Sequence, residues 1–236
     1  MYLAENIRPA RQVGIEAYRP DGPVTIVQLV RCLCCLYAIV LMLSIFPVFA
    51  QSFQVHSYTE DDGLPSSTVY DVAQDSSGLM WFATRAGVAS YDGISWSVYF
   101  ASDGLPGPNV LRIEVDHQGT IWALDEVAAA TDTSRIYISY LKGQRWQTVP
   151  HISIPRPLNP DSDLIMKLIS KGNDPVLAVG VRLNGIYLWT DGHWVFLSPE
   201  DGITLPVNAI VPWKDQFDVA TGSGLAVING TKVDHE

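Results

Sequence analysis

A spacing of 41 residues organises this sequence. Asp75, Gly78 and Trp81 recur as Asp116, Gly119 and Trp122, and Gly63-Leu64-Pro65 recurs as Gly104-Leu105-Pro106, all at the same displacement. Residues 217–230 align without gaps on residues 80–93. Ala, Thr, Gly, Ala and Gly are identical between them, and Gly224 falls on Gly87. A weaker copy lies between: residues 185–194 echo 87–96, and Gly93 with Trp96 is echoed by Gly143 with Trp146. Self-similarity at a fixed period means that one small unit has been used several times.

The content of the unit says what it is. Residues 75–78 carry turn chemistry, since Asp and Ser bond to nearby backbone and Gly tolerates positive φ. Residues 79–84 are apolar and aromatic, short enough for a buried strand. Residues 85–87 turn the chain, 88–91 return it, and Asp92-Gly93 is a hairpin signal. A period of about 40–50 residues with about four strands in each is that of propeller blades. A lone four-stranded sheet has two apolar faces and can cover neither. Stacking sheets face to face around an axis covers both. Trp81 and Trp122, at mid-strand, are expected to fill the wedge between neighbouring blades, where they bury a large area with few rotors.

The expected fold is therefore all-β: about four four-stranded β-propeller blades, an incomplete propeller, following an N-terminal signal or membrane segment. Residues 1–50 form the leader and 51–236 the partial propeller, with blades at about 53–102, 103–150, 151–200 and 201–236. In the first blade, strands are predicted at 54–59, 69–73, 79–84, 88–91 and 96–100. The second has 110–115, 120–124 and 136–141, with 126–134 as a long loop. The third has 164–169, 176–181, 186–189 and 194–197, after a Pro-rich loop at 152–163 whose prolines cannot donate to a ladder. The fourth has 207–212, 217–221 and 225–229, with at most one strand more. Four divergent blades with the last cut short would leave open edges. The chain therefore reads as the N-terminal part of a longer protein or as a truncated product.

Residues 32–50 carry no charge, with Arg31 before them. As a secretory signal this run has Pro47 and a Val-Phe-Ala end ahead of Gln51, the reading that fits a cleavage site. As an uncleaved anchor it is just long enough to span. Either way the propeller is exported, to the periplasmic side. Cys32, Cys34 and Cys35 all fall inside the run, where Cys acts as a small apolar residue, so the exported part has no disulfide to rely on. The net charge of -10 argues against non-specific nucleic-acid binding, which needs a basic surface.

Gly63-Leu64-Pro65, Val69, Asp75, Gly78, Trp81-Phe82-Ala83-Thr84 and Gly87-Val88 together resemble the two-component regulator propeller repeat. The resemblance extends over about residues 55–229. It departs where Trp-Ile-Gly-Thr is usual, and the second copy, Trp122-Ala123-Leu124-Asp125, loses the Thr. It implies the periplasmic sensor region of a hybrid two-component protein. Propellers in that family precede a connector, a membrane helix and a cytoplasmic output, often a histidine kinase, and their ligands are often glycans. The function so implied is an exported sensory module that binds an extracellular ligand and signals across the membrane. The alternative is a non-signalling scaffold for protein or polysaccharide. The implied partners are a small-molecule or glycan ligand and the remaining blades or membrane-linked output of the full protein, with no nucleic acid.

No catalytic constellation is visible, so this chain is not expected to be an enzyme, and no catalytic, cofactor or metal residue is assigned. No Gly-x-Ser-x-Gly elbow occurs. The five histidines are scattered, with His117 and His193 at turns. Asp61-Asp62 and Asp161-Ser162-Asp163 lack the ligand spacing of a calcium loop. Asn229-Gly230-Thr231 matches a glycosylation triplet but reads as a hairpin tip. Tyr91, Trp213 and the 126–134 loop are the places where a ligand contact is expected. Which ligand is not legible, because propeller function resides in loop tips.

Overall fold

The computed structural model describes residues 25–44, 55–128, 133–155, 163–171 and 174–235. It has two units, 1–55 and 56–236. In the first, helix α1 (Ile26–Ser44) begins six residues ahead of the expected apolar run. Ile26, Val27, Leu29 and Val30 extend the apolar stretch, and Gln28 and Arg31 are good helix formers. The Thr25 carbonyl accepts the amides of Gln28 at 2.8 Å and Leu29 at 3.3 Å. Counting only helix residues described with their side chains, 26–40, no segment is long and apolar enough to cross a membrane. Residues 45–50, which hold Pro47 and the expected cleavage end, lie outside the described residues.

The second unit is all β with three short 3-10 turns. The first sheet is β1 (Val69–Gln74), β2 (Met80–Thr84), β3 (Gly87–Tyr91) and β4 (Trp96–Tyr99). The second is β5 (Val110–Val115), β6 (Ile121–Ala128), β7 (Thr133–Lys142) and β8 (Arg145–Thr148), with β9 (Ile152–Pro155) also paired to β7. The third is β10 (Leu164–Lys171), β11 (Asp174–Val181), β12 (Gly185–Thr190) and β13 (His193–Leu197). The fourth is β14 (Ala209–Trp213), β15 (Gln216–Thr221), β16 (Gly224–Asn229) and β17 (Lys232–His235). Each sheet is an antiparallel meander. The first strands line up in sequence, β1 against β5, β5 against β10 and β10 against β14, which is the radial stacking of propeller blades.

The hydrophobic core is three seams between sheets. Trp81, Ala83 and Val88 of the first sheet meet Ile113, Ile121, Ala123 and Trp146 of the second. Leu111, Trp122, Leu124 and Ile138 of the second meet Met166, Leu177 and Val179 of the third. Ala178, Ile186 and Leu188 of the third meet Ile210, Phe217, Val219 and Ile228 of the fourth. The period of two is plain in β11, where Leu177, Val179 and Val181 face the second sheet and Val176 and Ala178 face the fourth. Gly180 lets the fourth sheet approach, since a Cβ there would lie 2.7 Å from Ile210 Cδ1. Trp81 and Trp122 are buried in successive seams, as expected of inter-blade wedges.

Four segments differ from the sequence expectation. Residues 55–59 form no strand; the Asp62 carboxylate instead accepts the Thr59 amide at 2.8 Å and hydroxyl at 2.9 Å, and residue 54 lies outside the described set. The expected 126–134 loop is largely ladder, with Glu126, Val127 and Ala128 paired to Ile136, Arg135 and Ser134. Its β-branched residues favour strand, and the Ser134 hydroxyl donates to Glu126 Oε1 at 2.7 Å. Residues 129–132 lie outside the described set. The expected 152–163 loop opens with β9, and Pro155 is tolerated because it sits at the strand end. Residues 156–162 lie outside the described set. The strand expected at 207–212 starts at Ala209, because the Val207 amide donates to the Arg182 carbonyl at 2.8 Å.

The Gly-Leu-Pro copies are inter-sheet linkers. The 3-10 turns Glu60–Asp62 and Ala101–Asp103 end at Gly63 and Gly104, and Leu64 and Leu105 are buried behind them. A third linker, Pro199–Asp201 with Gly202 and buried Ile203, repeats the device. Gly104 has φ 107°, and a Cβ there would lie 2.3 Å from the Trp146 carbonyl oxygen. Gly104→Ala is expected to cost about 2 kcal/mol or more. Gly93→Ala, with φ 94° but nothing within 4 Å, should cost less. Urea denaturation of the two variants checks the order; equal losses would mean that backbone strain alone sets the cost.

Candidate functional site

The repeated Asp, Gly and Trp act together as a latch. Asp75 Oδ1 accepts the Ser77 amide at 2.9 Å, the Ser77 hydroxyl at 2.6 Å and the Leu79 amide at 3.1 Å. Its Oδ2 accepts the Trp81 indole N–H at 3.1 Å. Asp116 repeats this with the Gln118 and Thr120 amides at 2.9 and 2.8 Å and the Trp122 indole at 3.0 Å. One carboxylate closes the turn and fixes the wedge tryptophan six residues on. Gly78 and Gly119 close each turn by donating their amides to the Asp carbonyls, both at 3.0 Å. Burial pushes the Asp75 carboxyl up, but donors from Ser77, Trp81 and Leu79 outweigh it and hold the group below its ordinary value.

The opposite end of the strands has its own device. The Thr84 hydroxyl donates to the Gly87 carbonyl at 2.8 Å across the β2–β3 turn, and the Thr221 hydroxyl to the Gly224 carbonyl at 2.8 Å. This explains the Ala-Thr-x-x-Gly identity of the first and fourth copies. In the second copy Asp125 stands in place of Thr. It is fully buried, and neither carboxylate oxygen has a partner among the described residues. Burial alone pushes its carboxyl well above the ordinary value.

The latch turns share a face with the β3–β4, β7–β8 and β12–β13 turns, and on that face a cavity of about 450 Å³ opens between the second and third sheets. Its walls include Asp116, Gln118, Thr120, Trp122, Tyr140 and Lys142 from the second sheet and Pro175 and Trp189 from the third. The Trp122 and Tyr140 rings are 5.1 Å apart, and Trp189 lies 5.2 Å from Trp194. A second recess of about 310 Å³ adjoins it, lined by Asp116, His117, Ser170, Pro212 and Lys214 at the ends of β5, β10 and β14.

Polar ties run between the inner strands. Ile113 N donates to Asp71 Oδ2 at 3.1 Å and Arg112 Nε to the Leu164 carbonyl at 3.0 Å. Lys167 pairs with Glu114, and Ser170 bonds His117 Nδ1. Burial raises the Glu114 carboxyl, with Lys167 acting against it and Asp71 with it. Reading the sequence missed these ties. Their signal was the alternation of Arg112 and Glu114 within the otherwise apolar Val110–Val115.

The expected contact residues are not brought together. Tyr91 belongs to a cluster on the first sheet, 4.6 Å from Trp96 and 5.1 Å from Tyr58. Trp213 is on the fourth sheet, 58% exposed, next to the Pro212 and Lys214 of the smaller recess. The described part of 126–134 is ladder. The aromatics that do converge on a cavity are Trp122, Tyr140 and Trp189.

Residues 63–86 match the family described as two-component regulator propeller. A 48-residue stretch is 40% identical to histidine kinase P4 of Formosa agariphila, covering 20% of this chain and 4% of that protein. The extracellular domain of a hybrid two-component system from B. thetaiotaomicron superposes with a TM-score of 0.54 at 16% identity, over 78% of this chain and 26% of that one. The extracellular domain of a one-component system from the same organism does so with a TM-score of 0.51 at 11% identity, over 81% and 24%. These likenesses establish the propeller fold. The chain spans about a quarter of the two solved domains and far less of the kinase.

Asp116→Ala strips three donors of their acceptor and is expected to cost about 1–3 kcal/mol in thermal or urea denaturation. A loss confined to a few tenths would mean that the turn is held by backbone alone. For Asp125 the folded value lies above the unfolded one, so its contribution is full below the ordinary carboxylate range and is lost as pH rises through the raised value. Stability should therefore fall as pH rises above about 4. Asp125→Asn should flatten that decline, measured by urea midpoints from pH 4 to 8. An unchanged decline would place the titrating group elsewhere.

Proposed function

We propose that this chain is the exported sensory propeller of a two-component sensor of the histidine kinase type, which binds an extracellular ligand such as a glycan and signals across the membrane. The observation that carries this reading is the Asp-x-x-Gly-x-x-Trp latch, found once within the residues matching the two-component regulator propeller and repeated 41 residues on. The local identity to a histidine kinase supports it. In this reading the chain acts by binding and not by catalysis. Its partners are the ligand, further propeller sheets and a membrane-linked output, and its location is the periplasmic side of the membrane. The apolar leader supplies export, and anchorage as well if it is retained. The cavity on the latch face is where binding would be sensed, because it touches two sheets at once.

The transcript carrying this chain, or an adjoining gene, is expected to encode a membrane span and a kinase-type output. A reporter enzyme active only outside the cytoplasm, fused after Glu236, should be active. An inactive fusion, or a locus with neither span nor output, would overturn the sensory reading.

A further inference from the structure

Two side chains at the end of the first seam opposite the latch face bury acceptors that nothing described satisfies, and one proton between them would serve both. Asp125 is fully buried, and neither of its carboxylate oxygens has a hydrogen-bond partner among the described residues. The buried Oδ1 of Asn109 lacks one as well. The two residues are neighbours in the ladder: Val110 pairs with Asp125, and the Asn109 carbonyl accepts the Glu126 amide at 3.3 Å. The linker that leads into β5 covers this spot. Leu105 and Gly107 are buried in it, and a Cβ on Gly107 would lie 3.0 Å from Cγ2 of Val127, which shares a face of β6 with Asp125. Both positions differ from the first copy. Thr68 and Thr84 stand 41 residues earlier, and there the Thr84 hydroxyl supplies its own proton to the Gly87 carbonyl at 2.8 Å.

A buried acceptor left bare is costly, and a buried carboxylate without a counter-charge is costlier. As an anion, Asp125 would face the partial negative charge of Asn109 Oδ1. As a neutral acid it carries an O–H that Asn109 Oδ1 can accept. The surrounding groups supply no counter-charge. Residues 104–110 hold no ionisable side chain. On β7, Tyr137 pairs with Asp125 and packs against His151 at 5.2 Å, and Arg135, two residues away, is exposed. Glu126 alternates to the other face of β6 and takes the Ser134 hydroxyl. On the first sheet, Arg85 at the β2–β3 turn is exposed and Asp71 accepts the Ile113 amide. Burial, and no charged neighbour, raises the Asp125 carboxyl. We propose that Asp125 is a neutral acid whose O–H is donated to Asn109 Oδ1, a clasp that pins the linker between the first and second sheets and opens when rising pH removes its proton. The proton passes to solvent, the carboxylate left behind is too poorly solvated to stay enclosed, and residues 104–109 lift to admit water. This goes beyond the sensory reading and does not need it.

The test uses the full 236-residue chain in detergent solution from about pH 4 to pH 9. Infrared difference spectra should show a protonated-carboxyl C=O band at about pH 6, where ordinary carboxylates are ionised. The band should vanish in Asp125→Asn and shift in Asn109→Ala, which removes its acceptor. Hydrogen exchange, read as protection of peptides covering 104–110 and 121–128, follows the opening. Above the raised value, loss of one proton should lower that protection by about tenfold per pH unit. The Asp125→Asn amide keeps an N–H donor and cannot titrate, so its protection should not change with pH. Asn109→Ala should lose about tenfold or more already at low pH. Residues 209–213 of the fourth sheet should not respond in any of the three chains. No protonated band at about pH 6 would mean that the Asn109 amide nitrogen faces an ordinary carboxylate, and would overturn the clasp. So would a band indifferent to Asn109→Ala, a pH-dependent loss that spreads to 209–213, or protection that follows sodium or calcium in place of pH.

Discussion

Burial between sheets is the constraint from which the rest follows. No sheet of this protein has a core of its own. Among the described residues each inner face is covered mainly by the next sheet, and the large buried side chains lie in three seams, from Trp81 through Trp122 to Phe217. A sheet covered on both faces must be apolar on both sides of its strands. That is why residues 176–181 of β11 read Val-Leu-Ala-Val-Gly-Val, without a polar residue, and why Gly180 is needed where Ile210 of the fourth sheet comes close. The same constraint makes the linkers part of the core. Leu64, Leu105 and Ile203 cover the ends of the seams while a short acid-capped turn carries the chain to the next sheet.

Within that frame, a few side chains set the hairpins. The latch joins turn closure to wedge placement, so its three residues keep fixed intervals. Asp supplies two acceptor oxygens, Gly the turn, and Trp both the bulk and the N–H that the carboxylate needs. The Thr-x-x-Gly bridge does for the β2–β3 turn what the latch does for the β1–β2 turn. Where Asp125 takes the place of this Thr, the hairpin no longer turns at once but continues as ladder to Ala128, and the carboxyl is enclosed without a partner among the described residues.

What could be read from the sequence was what repeats. The 41-residue interval located both latches, both wedge tryptophans and two linkers, because these are local devices with fixed spacing. The strands of the third and fourth sheets were readable from apolar runs bounded by turns. The third linker was missed although Asp201-Gly202-Ile203 resembles Asp62-Gly63-Leu64, since inserted residues put it off the interval. The β9 strand was hidden behind three prolines, only the first of which falls in it. The cavity was not legible, because Trp122 and Trp189 are far apart in the chain and come to border one space through the stacking of sheets. Tyr91 and Trp213 drew attention as aromatics outside the wedge pattern, yet nothing in a repeat says which ends of which strands converge.

The position of the cavity follows from unequal seams. Between the first and second sheets, Trp81 stacks on Tyr99 at 5.8 Å and Tyr99 meets Trp146 edge-on at 6.1 Å, so aromatics from both sheets fill the wedge. Between the third and fourth, aliphatic residues and Phe217 close the space around Gly180. Between the second and third the shapes do not match. The second sheet presents a full latch turn with Trp122 leaning on Tyr140. The third brings β10 to β11 by a pairing that runs to Lys171 and Asp174, in place of an Asp-Gly-Trp latch. Trp189 meets Trp194 of its own sheet at 5.2 Å. The latch face is thus open where a long turn meets a sheet built without one. Divergence of the third repeat, which weakens the sequence signal there, accompanies the opening of the cavity on that seam.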